Sequence, residues 1–401
     1  MSRLTRDPEL DQLVRTINER GAPADPGDEP QAATWPPADV PSGNPMESLL
    51  LEMARRGASD LLIMAGAPPI FRVGGRLVQT DAVPFAGDDL HNVFAALLTA
   101  RVRERMESDG AADFSLRLAR PAGDEDRRGW RFRVNLHRQR GTLAASIRAL
   151  PTAIPTLNDL HLPPSLADLV KPASGLVLVC GPTGAGKSTT LAALVGEINR
   201  TEKRHIITIE DPIEYEHRNG ESVIEQVEVG RDAPSFAAAL RAALRQDPDV
   251  ILVGEMRDLD TVATALTAAE TGHLILSTLH TGDAIQAIHR IVDVFPPSQQ
   301  TQIKHQLAMS LSAIISQQLM IRADGKGRVV AVEVLLANLP VRNHIRYDKL
   351  QNLMTEITLG KRQGMIALED SLARLVRQGM ITVDDARVRS SRPDELESLL
   401  R

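Results

Sequence analysis

The pattern of hydrophobic positions changes near the middle of the chain. Between about residues 46 and 150, short runs such as WRFRVNLHRQRG and TLAASIRAL are separated by turn signals and predict strands. From Gly175 onward, apolar runs alternate with helical stretches: LVLVC at 176–180, HIITI at 205–209, VILV at 250–253 and LILST at 274–278. Nearly continuous apolar strands separated by helices predict a parallel sheet covered on both faces, so the predicted fold class is α/β.

The same patterns divide the chain into segments. MESLLLEMARRG has helical spacing and stops at Gly57, and GDDLHNVFAALLTARVRERMESDG predicts a pair of helices between strands. PTAIPTLNDLHLPP is a Pro-rich connection. We therefore predict a flexible extension and linker at 1–45, a mixed α/β domain at 46–150, a connection at 151–172 and a second domain at 173–401.

Two of these predictions concern the ends of the chain. Residues 21–45 are rich in Pro, Gly and Asp and lack periodicity, which is typical of a flexible linker. About the first 20 residues either form a short amphipathic helix or are disordered. After Pro296 the pattern predicts mostly helix, at about 297–401.

Composition and charge narrow the classes of function. The chain has 46 basic and 52 acidic residues and only 3% aromatic residues, which argues against a nucleic-acid partner. Cys180 is the only cysteine, so an intramolecular disulfide is excluded. No apolar run approaches the roughly 20 residues of a membrane span, and the N-terminus is too charged for a signal peptide. We therefore expect a soluble cytoplasmic protein that contacts the membrane only through a partner.

GPTGAGKST fits the phosphate-loop pattern G-x-x-x-x-G-K-[ST]. It follows the strand LVLVC and opens the helical stretch STTLAALVGEINR, which is the context that this motif requires. Its glycines allow backbone N–H groups to converge on phosphate oxygens, so ATP is the expected ligand, with Lys187 at the β- and γ-phosphates and the Ser188 hydroxyl on Mg²⁺. The predicted nucleotide-binding residues of the loop are Gly181, Pro182, Thr183, Gly184, Ala185, Gly186, Lys187, Ser188 and Thr189.

Carboxylates follow two of the predicted strands, at the edge where a parallel sheet binds its ligands. The position of the usual metal-binding Asp is Gly254, and Asp249 precedes its strand, so Glu255 is the best candidate for a general base or water-orienting group. Glu210 is the alternative base, and Glu210 and Asp211 are expected to steady the Mg²⁺ shell, partly through water. A lone carboxylate after a strand more often caps a helix or is solvated, but several near one phosphate loop favour a site.

Two histidines bracket the strand LILST. His273 precedes it and His280 follows it, and seven extended residues separate their Cα atoms by roughly 20 Å, so one metal ion cannot bind both. His280 lies where the γ-phosphate is expected and is predicted to be a phosphate sensor or donor. The spacing of His273 predicts a structural or inter-subunit residue.

These blocks resemble a known family. GPTGAGKSTTLAAL, HIITIEDPIEY, LRQDPDVILVGEMRDLDT and LTAAETGHLILSTLHT are similar, in this order, to the Walker A, aspartate-box, Walker B and histidine-box motifs of the type IV pilus retraction ATPases, the PilT/PilU branch of the secretion and pilus ATPase superfamily. GASDLLIMAGAPPIFRVGG and RFRVNLHRQRG resemble the family's PAS-like N-terminal domain. The resemblance begins at about residue 47 and implies a PAS-like domain followed by a RecA-like ATPase domain.

The resemblance also implies an assembly and its partners. It implies a homohexameric ring at the inner face of the cytoplasmic membrane that drives pilin removal through an inner-membrane platform protein (PilC-like) and the pilus base. A paralogous retraction ATPase is a further partner that the resemblance suggests. ATP binds between the two domains, and arginines of the N-terminal domain complete the site, for which Arg133 and Arg148 match best. The histidine box includes His273, and Arg257 follows the Walker B strand as a further candidate for nucleotide binding.

The sequence departs from the family at one helix motif. The family's A-I-R-N-L-I-R-E is here PVRNHIRY at 340–347, with Pro340 in place of the first Ala and Tyr347 in place of the final acid. The extension and secretion ATPases usually carry a four-cysteine zinc motif, which one cysteine excludes. Three alternatives stay open: a PilU-like accessory subunit, an extension or secretion ATPase, and a DNA-translocating RecA-like ATPase.

Overall fold

The structure is a computed structural model that describes residues 38–39, 45–95, 97–119 and 129–401. The predicted extension at 1–45 lies outside the described residues, apart from Ala38–Asp39 and Pro45. Ala38–Asp39 forms a short strand, β1, that pairs in parallel with Leu116 and Arg117. At these two positions the prediction of a flexible linker is wrong, because they belong to a sheet.

The first half of the chain builds a sheet with helices on one face. Each predicted element is present, and the described strands are ordered β1-β5-β6-β7-β2-β3-β4. Alternate strand residues such as Phe132, Val134 and Leu136 point to the helices and are buried, whereas the next residues along are more exposed. The elements are α1 (Pro45–Arg55), β2 (Asp60–Ile63), β3 (Ile70–Val73), β4 (Arg76–Gln79), α2 (Gly87–Ala95), α3 (Ala100–Ser108), β5 (Ala111–Leu118), β6 (Trp130–Gln139) and β7 (Thr142–Leu150).

The second half is built on another sheet, with strand order β10-β9-β11-β12-β8-β13-β14. Its four predicted apolar strands are confirmed and are parallel to their neighbours. Leu176 and Leu178 pack into one core and Val177 and Val179 into another, so both faces are covered, as predicted. The elements are β8 (Gly175–Cys180), α4 (Lys187–Thr201), β9 (His205–Glu210), β10 (Val223–Glu228), α5 (Phe236–Ala243), β11 (Val250–Val253), α6 (Leu259–Glu270), β12 (Leu274–Leu279) and α7 (Ala284–Asp293).

The prediction that 297–401 is mostly helical missed a β-hairpin at 311–336. Two long strands, β13 (Leu311–Ile321) and β14 (Arg328–Leu336), form a hairpin, and β13 pairs in parallel with β8. LSAIISQQLMI carries a long apolar run after the helix α8 (Pro297–Ser310), and periodicity alone does not separate a buried strand from a buried helix. Here the run forms a strand because it pairs with the central strand β8.

The remaining C-terminal elements are helical, as predicted. They include α9 (Leu339–Arg346), α10 (Leu353–Leu359), α11 (Leu368–Arg377), α12 (Val383–Arg389) and α13 (Pro393–Leu400). In the connection at 151–172, a 3-10 helix at Pro164–Val170 buries Leu166 and Val170 against the second sheet. In the part of the chain that is described, no helix is long and apolar enough to cross a membrane.

Candidate functional site

The phosphate loop leaves β8 at Cys180 and enters α4 at Lys187. Gly184 and Gly186 have φ angles of 78° and 86°, in the left-handed region that favours glycine. Gly181 is required for space as well, because a Cβ there would lie 2.5 Å from the Gln317 carbonyl oxygen. A loop of this shape at a helix N-terminus directs backbone N–H groups to one point, which suits a phosphate group.

Lys187 lies inside this loop. Its ammonium donates hydrogen bonds to the carbonyls of Gly181 (2.9 Å) and Pro182 (3.1 Å). Burial lowers the pKa of Lys187, and the residue lies 3.5 Å from Nδ1 of His280. The loop thus holds a cation where a bound phosphate needs one.

Glu255, Arg257 and His280 meet Thr183 around a cavity of about 490 Å³. The Arg257 guanidinium lies 2.7 Å from the Glu255 carboxylate, and Nε2 of His280 lies 4.0 Å from it. Nδ1 of His280 is 3.4 Å from the Thr183 hydroxyl. Burial, with the nearby Lys187 ammonium, lowers the pKa of His280, so its imidazole is neutral near pH 7 and can accept or donate a hydrogen bond.

Glu210 has different surroundings. Its Oε1 accepts hydrogen bonds from the hydroxyl of Thr208 (2.8 Å) and the amide of Gln226 (3.3 Å). Burial raises the pKa of Glu210 to about 7. Next to it Asp211 is exposed and lines a second cavity, of about 130 Å³, between the two sheets.

The two predicted arginines lie on the first sheet. Arg133 lines the second cavity with Asp211, and its guanidinium lies 3.6 Å from Asp113. Arg148 is its cross-strand partner and donates a hydrogen bond of 2.9 Å to Asp60. The ion pairs of both arginines thus lie within the first sheet, and the structure does not bring them to Lys187.

A neighbouring arginine makes the contact between the sheets instead. Arg131 is buried and donates hydrogen bonds to the carbonyls of Ile213 (2.8 Å) and Glu214 (3.2 Å). Its guanidinium also lies 3.1 Å from Glu216. The run RFRVN places Arg131 and Arg133 on the same face of the predicted strand, because side chains alternate along a strand. The sequence does not show which of the two arginines is buried.

Tyr215 is a further residue that sequence reasoning missed. In sequence it lies between Glu214 and Glu216, which both contact Arg131. Its hydroxyl is 2.9 Å from the hydroxyl of Thr189 in the first turn of α4. The segment that follows β9 therefore links the first sheet to the phosphate-binding helix.

The two histidines lie at opposite ends of β12, as predicted. His273 precedes the strand, and its Nδ1 lies 3.1 Å from the Ala268 carbonyl at the end of α6. This contact fits a structural residue, and its inter-subunit role stays a prediction. Cys180 is buried, and burial raises the pKa of its thiol to about 12, so it is a core residue.

The donor set around the phosphate loop fits Mg²⁺ only together with phosphates. Among the described residues, no three His, Cys, Asp or Glu side chains are grouped so as to hold a metal ion. Ser188 stands in the first turn of α4, half-buried, beside the loop. Mg²⁺ usually takes only one or two protein ligands, with phosphate oxygens and water as the others.

A phosphate loop at the carboxyl end of a parallel sheet, with a carboxylate on a nearby strand, defines a P-loop ATPase. Comparison with known proteins identifies the family within this class. Residues 146–379 match the family described as type II/IV secretion system protein, and the chain belongs to this family.

Relatives confirm the resemblance to the pilus retraction ATPases. The chain is 41% identical to the type IV pilus retraction ATPase PilT of Pseudomonas aeruginosa, over 86% of this chain and 98% of that protein. It is 39% identical to the type IV pilus ATPase PilU of the same organism, over 82% of this chain and 84% of that protein. A crystal structure of the pilus retraction motor PilT with bound ADP aligns with a TM-score of 0.79 and 45% identity, over 88% of this chain and 99% of that one.

Proposed function

We propose that the chain is the subunit of an ATP-hydrolysing motor that retracts type IV pili. The observation that carries this is the meeting of Glu255 and His280 at one cavity beside the phosphate loop, with the Lys187 ammonium 3.5 Å from Nδ1 of His280. The similarity to retraction ATPases over nearly the whole length of PilT supports the direction of the motor.

In this proposal each side chain has a distinct task. Lys187 and the loop amides neutralise the β- and γ-phosphates, and Glu255 orients the attacking water and accepts its proton. His280, neutral near pH 7, hydrogen-bonds the γ-phosphate and senses its loss. Mg²⁺, when bound, withdraws charge from the phosphates, and Ser188 would hold it, with Asp211 acting through water.

The larger assembly is part of the same proposal. The two sheets would be a PAS-like domain at 46–150 and a RecA-like domain at 173–401, and ATP would bind between them. Arg133, which lines the second cavity together with Asp211, would close on the nucleotide, with Arg148 beside it. Six such subunits would form a ring at the cytoplasmic face of the inner membrane, against a platform protein and the pilus base.

One experiment tests the motor and its direction together. The chain is expressed in a bacterium that assembles type IV pili but lacks its retraction ATPase, and twitching and pilus length are measured. Restored twitching with shorter surface pili is expected from the wild-type chain and not from Lys187→Ala. Longer or more numerous pili would assign the chain to the extension class instead.

A PilU-like accessory role is the second candidate, since the identity to PilU nearly equals that to PilT. A strain that lacks both types of retraction ATPase separates the two. Retraction restored by this chain alone supports an independent motor, and retraction that requires an added PilT-like ATPase supports the accessory role.

A further inference from the structure

Gln317 lies beneath the phosphate loop, on the strand that the sequence pattern did not predict. β13 runs parallel to β8, and Ser316 stands opposite Cys180, the last residue of β8. Gln317 is the next residue and its side chain is completely buried. β13 therefore continues past the end of β8 and forms the floor of the loop.

Both ends of the Gln317 amide are bonded to the loop and its helix. Nε2 donates a hydrogen bond of 2.6 Å to the Ala185 carbonyl, and Oε1 accepts one of 2.9 Å from the Thr190 hydroxyl. Its backbone carbonyl closes the space beside Gly181. One residue thus contacts the start of the loop, its last turn and the first turn of α4.

The contact with Ala185 has a consequence for phosphate binding. The Ala185 carbonyl and the Gly186 N–H belong to one planar trans peptide group and point in opposite directions. Because the carbonyl is anchored on Gln317, the N–H is fixed on the side away from the core. Fixed donors bind an anion better than donors that must first be ordered.

We propose that Gln317 is a positioning residue of the nucleotide site, which orients the phosphate loop through Ala185 and Thr190. The proposal rests on the phosphates of ATP binding at this loop, as proposed above. A purely structural role for a buried glutamine predicts a loss of stability alone. A positioning role predicts a loss of nucleotide affinity in folded protein.

The test compares three variants of the full-length chain. Gln317→Met keeps the length of the side chain and removes both hydrogen bonds, and Thr190→Val removes one of them with little change in shape. Gln318→Met is the matched control, because Gln318 is the adjacent, half-buried residue of the same strand. ADP affinity is measured by calorimetry, KM and kcat by ATP turnover, and folding by thermal melting.

We expect Gln317→Met to weaken ADP binding and to raise KM about tenfold or more, and Thr190→Val to do the same to a smaller extent. Gln318→Met should stay within twofold of wild type. A change in melting temperature alone does not distinguish a positioning role from a structural one. If Gln317→Met does not fold, the nucleotide affinity of the milder Thr190→Val variant tests the proposal. Unchanged ADP affinity and KM in the folded variants, or an equal loss in Gln318→Met, would overturn the proposal. Since ADP binding needs no turnover, a wild-type chain without ATPase activity would count against the proposed function alone.

Discussion

Glu210 ends one strand of the second sheet and Glu255 follows another, but of the two only Glu255 lines the cavity at the phosphate loop. Glu255 lines this cavity beside Thr183 and His280, and its partner Arg257 is exposed, so the ion pair can open to admit water. Glu210 is held by Thr208 and Gln226, and burial raises its pKa to about 7, so it holds its proton more firmly than an exposed carboxyl group does. The structure therefore favours Glu255 as the group that acts on water.

Substitutions at the loop and at Glu255 should separate binding from chemistry. Lys187→Ala is expected to abolish both ATP binding and turnover, because it removes the cation inside the loop. Glu255→Ala should lower kcat by at least about a hundredfold and leave the affinity for ATP near that of wild type. Radioactive or fluorescent nucleotide binding and phosphate release measure the two effects.

The control is Asp260→Ala, because Asp260 is an exposed acid in the first turn of α6. It should keep normal turnover. Normal activity in Glu255→Ala together with loss of activity in Glu210→Ala would transfer the role of base to Glu210.

Glu333 is a buried carboxyl group next to this site that has no part in the chemistry. Its Oε1 accepts a hydrogen bond of 3.1 Å from the backbone N–H of Ala284, the first residue of α7. Burial, aided by the charges of Asp283 and Glu369, raises the pKa of Glu333 to about 7, although the hydrogen bond from Ala284 and the charge of Arg392 act in the opposite direction. The folded state therefore holds a proton that the unfolded state releases at a lower pH, so Glu333 costs stability as the pH rises from about 4.5 through 7.

Glu333→Gln should remove this dependence on pH, since the amide cannot ionise and its oxygen can still accept from Ala284. The melting temperature of the variant relative to wild type should rise between pH 5 and pH 8, with a gain of at most about 3 kcal/mol in the free energy of unfolding. Glu221→Gln, at an exposed position, should show no such trend. A constant difference between variant and wild type at all pH values would contradict the protonated state of Glu333.

At the scale of elements, the sequence predicted what local patterns encode. The strand, turn and helix of the phosphate loop and the three other apolar strands are where the pattern placed them, because each strand has its own apolar run. The hairpin β13–β14 was missed, since its apolar run has no period that separates strand from helix. The contacts of Gln317 and Arg131 could not be predicted, because they depend on strands and loops far apart in sequence.

Helix α9 shows how a local departure from a family motif is accommodated. Pro340 stands in its first turn, where an N–H is not needed, and Asn338 caps the helix by accepting a hydrogen bond of 3.1 Å from the Val341 N–H. Arg342 donates to the carbonyls of Ala337 (2.8 Å) and Ala308 (2.6 Å), so the helix is tied to the end of α8. The motif PVRNHIRY therefore still forms a helix, and its exposed Tyr347 is at the C-terminal cap.

Loss of the cap should weaken this helix without touching the nucleotide site. Asn338→Ala is expected to lower the free energy of unfolding by about 1 kcal/mol, whereas Asn338→Asp, which keeps an acceptor for Val341, should cost much less. Chemical denaturation measures both, and ATP turnover should stay at the wild-type level. Equal destabilisation by the two variants would show that the hydrogen bond from Asn338 to Gln363, and not the cap, stabilises the helix.

At the scale of the whole molecule, a short segment after β9 connects the two sheets. Arg131 holds the carbonyls of Ile213 and Glu214, and Arg117 joins it in an ion pair with Glu216. The same segment carries Tyr215, which contacts Thr189 in the phosphate-binding helix. These contacts join the first sheet to the phosphate-binding helix through side chains of one chain, so we expect movement of the first sheet to reach the phosphate loop along them.

Arg133 offers a way to decide whether the nucleotide is closed in by the same subunit or by a neighbour. It lines the second cavity together with Asp211 of its own chain, so we expect it to act within its own subunit. Arg133→Ala should then lower kcat at least about tenfold. Rings reassembled from equal amounts of Arg133→Ala and Glu255→Ala subunits should show no more than the residual activity of the two variants alone, because each subunit lacks one half of its own site. If a neighbour closes the site instead, about a quarter of the sites in the mixed rings should be complete and active. Such a recovery would contradict closure within one chain. A control mixture of Lys187→Ala and Glu255→Ala subunits should show no recovery.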